Sequence, residues 1–281
     1  MNANGAIRQT ASFAPAPYGP RFRLVSGPAH GEARGAVLLA PPFAEELNKC
    51  RRMTARMARL LAAQGWQVVQ PDLRGCGDSA GEFRDADWVD WIADLQAELA
   101  ALPGHLPVWL WCIRAGALLA GPLAEARPDL NLLLWQPALS GAQHLQQFLR
   151  LHAGGRIVGA AAEGPSPLSR LRAGESVELG GYELGAALAL GMERATFALP
   201  RAFRGRIAWF DVQAHATAAA GPATQAALEA LRARALSVDH AVVAGAPFWQ
   251  TVEIEECEAL LQVSLAGLGS ARTARAAACP A

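Results

Sequence analysis

Apolar residues fall along this chain in short blocks separated by stretches with helical spacing. Residues 36–40 (A-V-L-L-A) and 108–111 (V-W-L-W) are unbroken apolar runs of the kind a parallel sheet buries on both faces. Residues 66–70, 130–135, 206–212 and 238–243 carry further strand patterns, and 22–25 a shorter one. Between them, 48–64 places Met53, Met57, Leu60 and Leu61 on one face with arginines opposite, and Gly65 follows as a helix stop. Residues 85–101 form a helix pattern opening with acids, which suits the helix dipole. Helices are also expected from 115 to about 127, over 222–235 and near 255–265. This alternation predicts an α/β fold, a mostly parallel sheet flanked by helices.

Two regions depart from the rhythm. Residues 1–20, with Pro15, Pro17 and Pro20, are expected to wrap the surface irregularly or to add an edge strand. From 141 to 205 the pattern breaks into helical pieces at Gly154-Gly155, Gly164-Pro165 and Gly180-Gly181, as expected of a cap inserted over the sheet. The chain therefore divides into an N-terminal extension and edge strand (1–34), a first part of the core (35–140), the cap insertion (141–205), and a second part of the core with a tail (206–281).

Composition narrows the function classes. Of 281 residues, 52% are hydrophobic and 18% charged, as in a globular protein with a large core. The net charge of +0 offers no electrostatic footprint for nucleic acid. Lys49 is the single lysine among 25 basic residues, an imbalance that reads as genome composition. Five scattered cysteines (Cys50, Cys76, Cys112, Cys257, Cys279), with no C-x-x-C pair, imply neither a disulfide framework nor a metal site. No secretory pattern and no apolar run long enough to span a bilayer occur, so a cytoplasmic protein is expected.

Three stretches carry specific information. They are Pro41-Pro42-Phe43-Ala44-Glu45-Glu46-Leu47-Asn48-Lys49; the D-x-x-G-x-G-D-S loop from Asp72 to Ser79; and the turn Cys112-Ile113-Arg114-Ala115-Gly116 between a strand and a helix. The last has the layout of a G-x-S-x-G nucleophile elbow, with Cys112 at the first glycine, Arg114 at the serine and Gly116 at the last glycine. On these residues the chain, from about 35 to 265, resembles the α/β-hydrolase superfamily. Through P-P-F-x-E-E-x-N-K and the later Pro247-Phe248-Trp249 it looks like the exosortase A system-associated hydrolase 2 group of bacterial exopolysaccharide and PEP-CTERM sorting loci. The resemblance implies an α/β-hydrolase fold and hydrolysis of an ester, thioester or other acyl-type substrate. It also implies partners encoded by such a locus, and no cofactor.

The residues themselves pull against hydrolysis. A serine hydrolase needs a nucleophile, a base and an orienting acid, and an arginine, protonated at any physiological pH, cannot attack. Gln213, Ala214, His215 and Ala216 follow the strand after which the acid belongs, with Asp211 two to four residues early. The base position holds Phe248, Trp249 and Gln250, and His240 stands ahead of the last strand, at the wrong end of the sheet. Displaced catalytic candidates are Ser79, Cys112, Glu45 and Glu46. Against them, Asp78-Ser79 suits a turn cap, Cys112 a buried thiol, and the two glutamates one paired and one solvated group.

The alternative is a non-catalytic protein that binds a small anionic or acyl-type ligand. Arg114, the amides of Phe43 and Ala115 and the positive end of the elbow helix would form the cradle, with Glu45, Glu46, Asp78, Phe248 and Trp249 around it. Phe248 and Trp249 would line that pocket or plug it. A purely structural Arg114 would instead be paired with Glu45 or Glu46. Trp88 and Trp91 are expected in the core. Arg51, Arg52, Arg56 and Arg59 are expected on a solvated helix face, with Arg51 or Arg52 able to reach the pocket.

Overall fold

A computed structural model describes residues 5–153, 164–216 and 219–269. The Gly154-Gly155 break, Cys279 and the first four residues lie outside these. Among the described residues an eight-stranded sheet runs in the order β1 (Ile7–Ala16), β2 (Gly19–Pro28), β4 (Trp66–Pro71), β3 (Gly35–Ala40), β5 (Val108–Ile113), β6 (Asn131–Trp135), β9 (Ile207–Gln213), β10 (Val238–Ala244). The β1–β2 and β2–β4 pairs are antiparallel, and every other pair is parallel.

Every residue of β3 and β5 is buried, because helices cover both faces. In β5 the side chains alternate: Val108, Leu110 and Cys112 enter one core, Trp109, Trp111 and Ile113 the other. The first core is closed by α2 (Trp88–Ala101), α3 (Ala120–Ala126) and α7 (Pro222–Ala233), the second by α1 (Glu45–Ala63) and α8 (Glu258–Gly269). Trp88 and Trp91 are core residues. No described helix is long and apolar enough to cross a membrane.

The N-terminal segment is more regular than its prolines suggest. Pro15 and Pro20 sit opposite each other in a hairpin of two ten-residue strands, β1 and β2; β1 is the sheet edge, and Pro20 precedes the part of β2 that pairs with β4, so both places are open to proline. The acidic start at Asp85 belongs to a separate 3-10 turn, Phe83–Asp85. The helix α2 begins at Trp88, with the Asp87 carboxylate accepting from the Val89 N–H. Between β6 and β9 the described elements are α4 (Gly141–Ala153), α5 (Pro167–Arg172), the hairpin β7 (Val177–Leu179) with β8 (Tyr182–Leu184), and α6 (Ala186–Arg194). Here α4 packs on α6 and α6 on α2.

β3 leads out to β4 on one side, and the chain then returns to β5 on the other. The carboxyl ends of β3 and β5 thus form a topological switch point, where open α/β sheets hold their ligands.

Candidate functional site

The turn leaving β5 keeps the geometry of a nucleophile elbow. Arg114 adopts φ 53°, a left-handed conformation that costs a non-glycine residue about 1–2 kcal/mol. Gly116 has no alternative, since a Cβ there would lie 2.2 Å from the Ala40 carbonyl oxygen. Two more non-glycine residues with positive φ stand at neighbouring strand ends: Ala44 (50°) after β3 and Gln136 (42°) after β6. Backbone strain gathered at one sheet edge is characteristic of functional sites.

The segment after the tip differs from the expected helix. Arg114–Leu119 is a 3-10 turn, and α3 starts only at Ala120. The positive end of a helix dipole therefore does not stand directly at Arg114. A short apolar stretch with a glycine packed against β3 tightens the turn, which spacing alone did not reveal.

Arg114 is held on three sides. Its Nε donates to Glu46 Oε1 at 3.1 Å, its Nη1 to the Gln136 carbonyl at 3.3 Å, and its guanidinium lies 5.2 Å from the Trp249 ring centre. Gln136 is itself fixed, accepting from the Val212 N–H through Oε1 and donating its own N–H to the Phe210 carbonyl. Ala138 N–H closes the loop onto the Arg114 carbonyl at 3.0 Å.

Behind Glu46 stands His144 in the first turn of α4, with Nε2 at 3.8 Å from Glu46 Oε2, beyond hydrogen-bond reach. Burial pushes the His144 pKa down to about 3, helped by the Arg114 charge, so the imidazole is neutral. Burial also raises the Glu46 pKa, while Arg114 pulls it back down.

These groups line a cavity of about 330 Å³. Phe43, Phe148, Leu151 and Trp249 form its apolar walls. Glu46, Arg114 and His144 form its polar floor, and Glu45, Lys49, Gln147 and Gln250 its remaining lining. Glu45 is paired with Lys49 at 2.8 Å.

The sequence candidates sort cleanly. Phe43, Glu45, Glu46, Arg114 and Trp249 come together around the cavity. Ala115 is buried next to the tip. Phe248, 1% exposed, lies against Trp135 and Trp249 beneath the wall and does not line the cavity. Trp249 does line it, on the segment after β10 where a hydrolase carries its histidine.

Asp78 borders a different depression, shared with Asp72, Arg51, Pro41 and Pro42. Arg51 therefore does not reach the Arg114 cavity, and Arg52 pairs with Glu256 instead. Ser79 is tied up: its Oγ donates to the Asp72 carbonyl at 2.6 Å and accepts from the Phe22 N–H at 2.9 Å. Gly77 is needed in that loop because a Cβ would strike the Asp72 carboxylate. Cys112 faces the core, its thiol pKa driven up by complete burial, and burial pushes Cys76 up to about 12. A thiolate nucleophile is unavailable at either residue.

His240 lies within β10 rather than ahead of it. Its Nε2 meets Asp211 Oδ2 at 2.9 Å, and Trp209 Nε1 donates to the other Asp211 oxygen. This pair sits mid-strand on the sheet, not at the carboxyl edge where the elbow points.

Residues that sequence reasoning passed over are His144, Gln147, Phe148 and Leu151. Their spacing of three, four and seven puts them on one face of α4, a pattern visible in the sequence that points at the elbow once the helix is placed. Gln136 carried no such signal.

Strand order, elbow, strained loops and cavity together define a protein with the α/β-hydrolase fold. A family described as Hydrolase_4, Serine aminopeptidase, S33, matches residues 31–164, from the approach to β3 through α4. No curated protein matches the chain by sequence. Among solved structures, Est1E from Butyrivibrio proteoclasticus with ferulic acid bound is 12% identical with a TM-score of 0.58, covering 92% of this chain and 98% of its own. A thermophilic esterase from Thermogutta terrifontis, malate bound, is 18% identical with a TM-score of 0.56, covering 94% and 98%. Alpha/beta hydrolase domain-containing protein 10 from mouse is 12% identical with a TM-score of 0.58, covering 94% and 98%.

Proposed function

We propose that this chain is a hydrolase-fold protein that binds an acyl-type ligand at the elbow without cleaving it. The observation that carries the reading is Arg114 itself. A guanidinium occupies the position from which a hydroxyl would attack, and Glu46, Gln136 and Trp249 hold it there. The segment after β6, the end of β9 and the segment after β10 present Gln136, Gln213 and Trp249 in place of an acid and a histidine, so the Ser-His-Asp set is absent in this reading.

A displaced catalytic set has little support. Glu46 Oε1 accepts from Arg114, Glu45 pairs with Lys49, and a histidine with a pKa near 3 is a poor general base at neutral pH. The resemblance of the P-P-F-x-E-E-x-N-K run and of Pro247-Phe248-Trp249 supports a place in a bacterial exopolysaccharide and exosortase A system, in the cytoplasm. Proteins of that locus would then be the partners.

The test pairs activity with binding. The wild type is expected to leave p-nitrophenyl esters intact and to resist a fluorophosphonate probe. Acyl esters should still perturb its tryptophan fluorescence, and Arg114→Met should abolish that signal. Ester turnover or probe labelling that disappears in Ser79→Ala would overturn the reading.

A further inference from the structure

Resting on that binding reading, we propose that Glu46 sets the charge selectivity of the elbow cavity. It makes the cavity a site for an uncharged ligand presenting a carbonyl-type oxygen and rejects the corresponding carboxylate. The donors of Arg114 are unevenly committed: Nε serves Glu46 and Nη1 serves Gln136, while Nη2 has no hydrogen-bond partner among the described residues. What the guanidinium offers the cavity is therefore the two N–H groups of Nη2 and the second N–H of Nη1, its Nε edge being taken by Glu46.

Its charge is already answered. Glu46 lies within 3.1 Å, and Lys49, the other cation lining the cavity, is paired with Glu45. His144 is neutral and adds no positive charge. An entering carboxylate would lose its hydration and meet the Glu46 carboxylate across a shared guanidinium. A neutral ester or amide oxygen accepts the same hydrogen bond and brings no charge to be repelled. Phe43, Phe148, Leu151 and Trp249 supply walls for an apolar body attached to that carbonyl.

Phenylacetamide and phenylacetate, nearly equal in size and differing in charge, provide the test, titrated calorimetrically into wild type and Glu46→Gln. Glutamine keeps the length of the side chain and an oxygen for Arg114 Nε, while removing the charge. Wild type is expected to bind phenylacetamide at least about tenfold more tightly than phenylacetate. In Glu46→Gln phenylacetate should gain about tenfold and close the gap. Tighter binding of phenylacetate by wild type, or a ratio unchanged in Glu46→Gln, overturns the assignment to Glu46 and leaves the binding function standing. Binding of neither compound overturns the binding function and this inference with it. If Glu46→Gln fails to melt cooperatively, the wild-type ratio decides alone.

Discussion

Replacing Arg114 by methionine tests whether its guanidinium is a structural counter-ion as well as the proposed ligand contact. The partners are largely withdrawn from solvent, with 11% of the Arg114 and 15% of the Glu46 side chain exposed. Breaking a buried pair from one side costs about 3–5 kcal/mol because the other charge is stranded, and partial exposure lowers that to ~2–3 kcal/mol. The left-handed backbone is no worse for methionine, so strain cancels in the comparison. For a chain of this length such a loss lowers Tm by roughly 5–10 °C.

The loss depends on pH, and its sign follows from Glu46. Burial already raises its folded pKa above the unfolded value, and without Arg114 the opposing pull disappears. Between those two pKa values the folded state binds more protons than the unfolded state, so stability falls as pH rises through the window. The Arg114→Met penalty should therefore be largest at pH 8 and shrink toward pH 5. Glu46→Gln added to Arg114→Met should restore ~1–2 kcal/mol at pH 8, since no charge is then stranded. Urea denaturation of the four proteins measures each quantity. A penalty below about 0.5 kcal/mol, or losses that simply add in the double variant, would refute the counter-ion role.

Two further outcomes are expected. His144 has its pKa lowered from 6.5 to about 3, so the unfolded chain takes up a proton that the folded chain refuses, and stability drops as pH falls through that interval. The full shift corresponds to ~5 kcal/mol at most. His144→Phe, accommodated beside Phe43, should flatten urea stability between pH 6.5 and 4, and parallel wild-type and variant curves would count against a neutral buried imidazole. Ser79→Ala removes a hydroxyl that bridges the Asp72 carbonyl and the Phe22 N–H; it should cost ~1–3 kcal/mol in thermal unfolding. Ligand titrations should be unchanged in that variant, and altered binding would restore Ser79 to the site.

The fold was legible because its signals are local and repeated. Apolar runs such as residues 36–40 and 108–111 belong to strands buried on both sides, and Gly116 marks a turn that only glycine fits. Arg114 could be placed at the elbow tip from spacing, and its pairing with one of two adjacent glutamates followed from the cost of a lone buried charge. The choice of Glu46 over Glu45 did not follow. It depends on the exit angle of α1, set by the left-handed Ala44, which a sequence does not announce. Gln136 escaped notice for a similar reason: its role is to hold backbone groups on β9, a long-range contact without a sequence signature. His240 was placed ahead of the last strand although the pattern over 238–243 contains it, and its pairing with Asp211 on the neighbouring strand is a long-range contact without a sequence signature.

The contact between Gly116 and the carbonyl of Ala40 has a consequence for how this scaffold can change. It fixes the path of the main chain without reference to the side chain two positions earlier, so the position of residue 114 is set by the backbone and its stability by whether its side chain answers Glu46. Whatever is coded there is carried to the same point above the sheet. A change at that one codon thus alters the chemistry presented at the sheet's edge without altering the main chain that presents it.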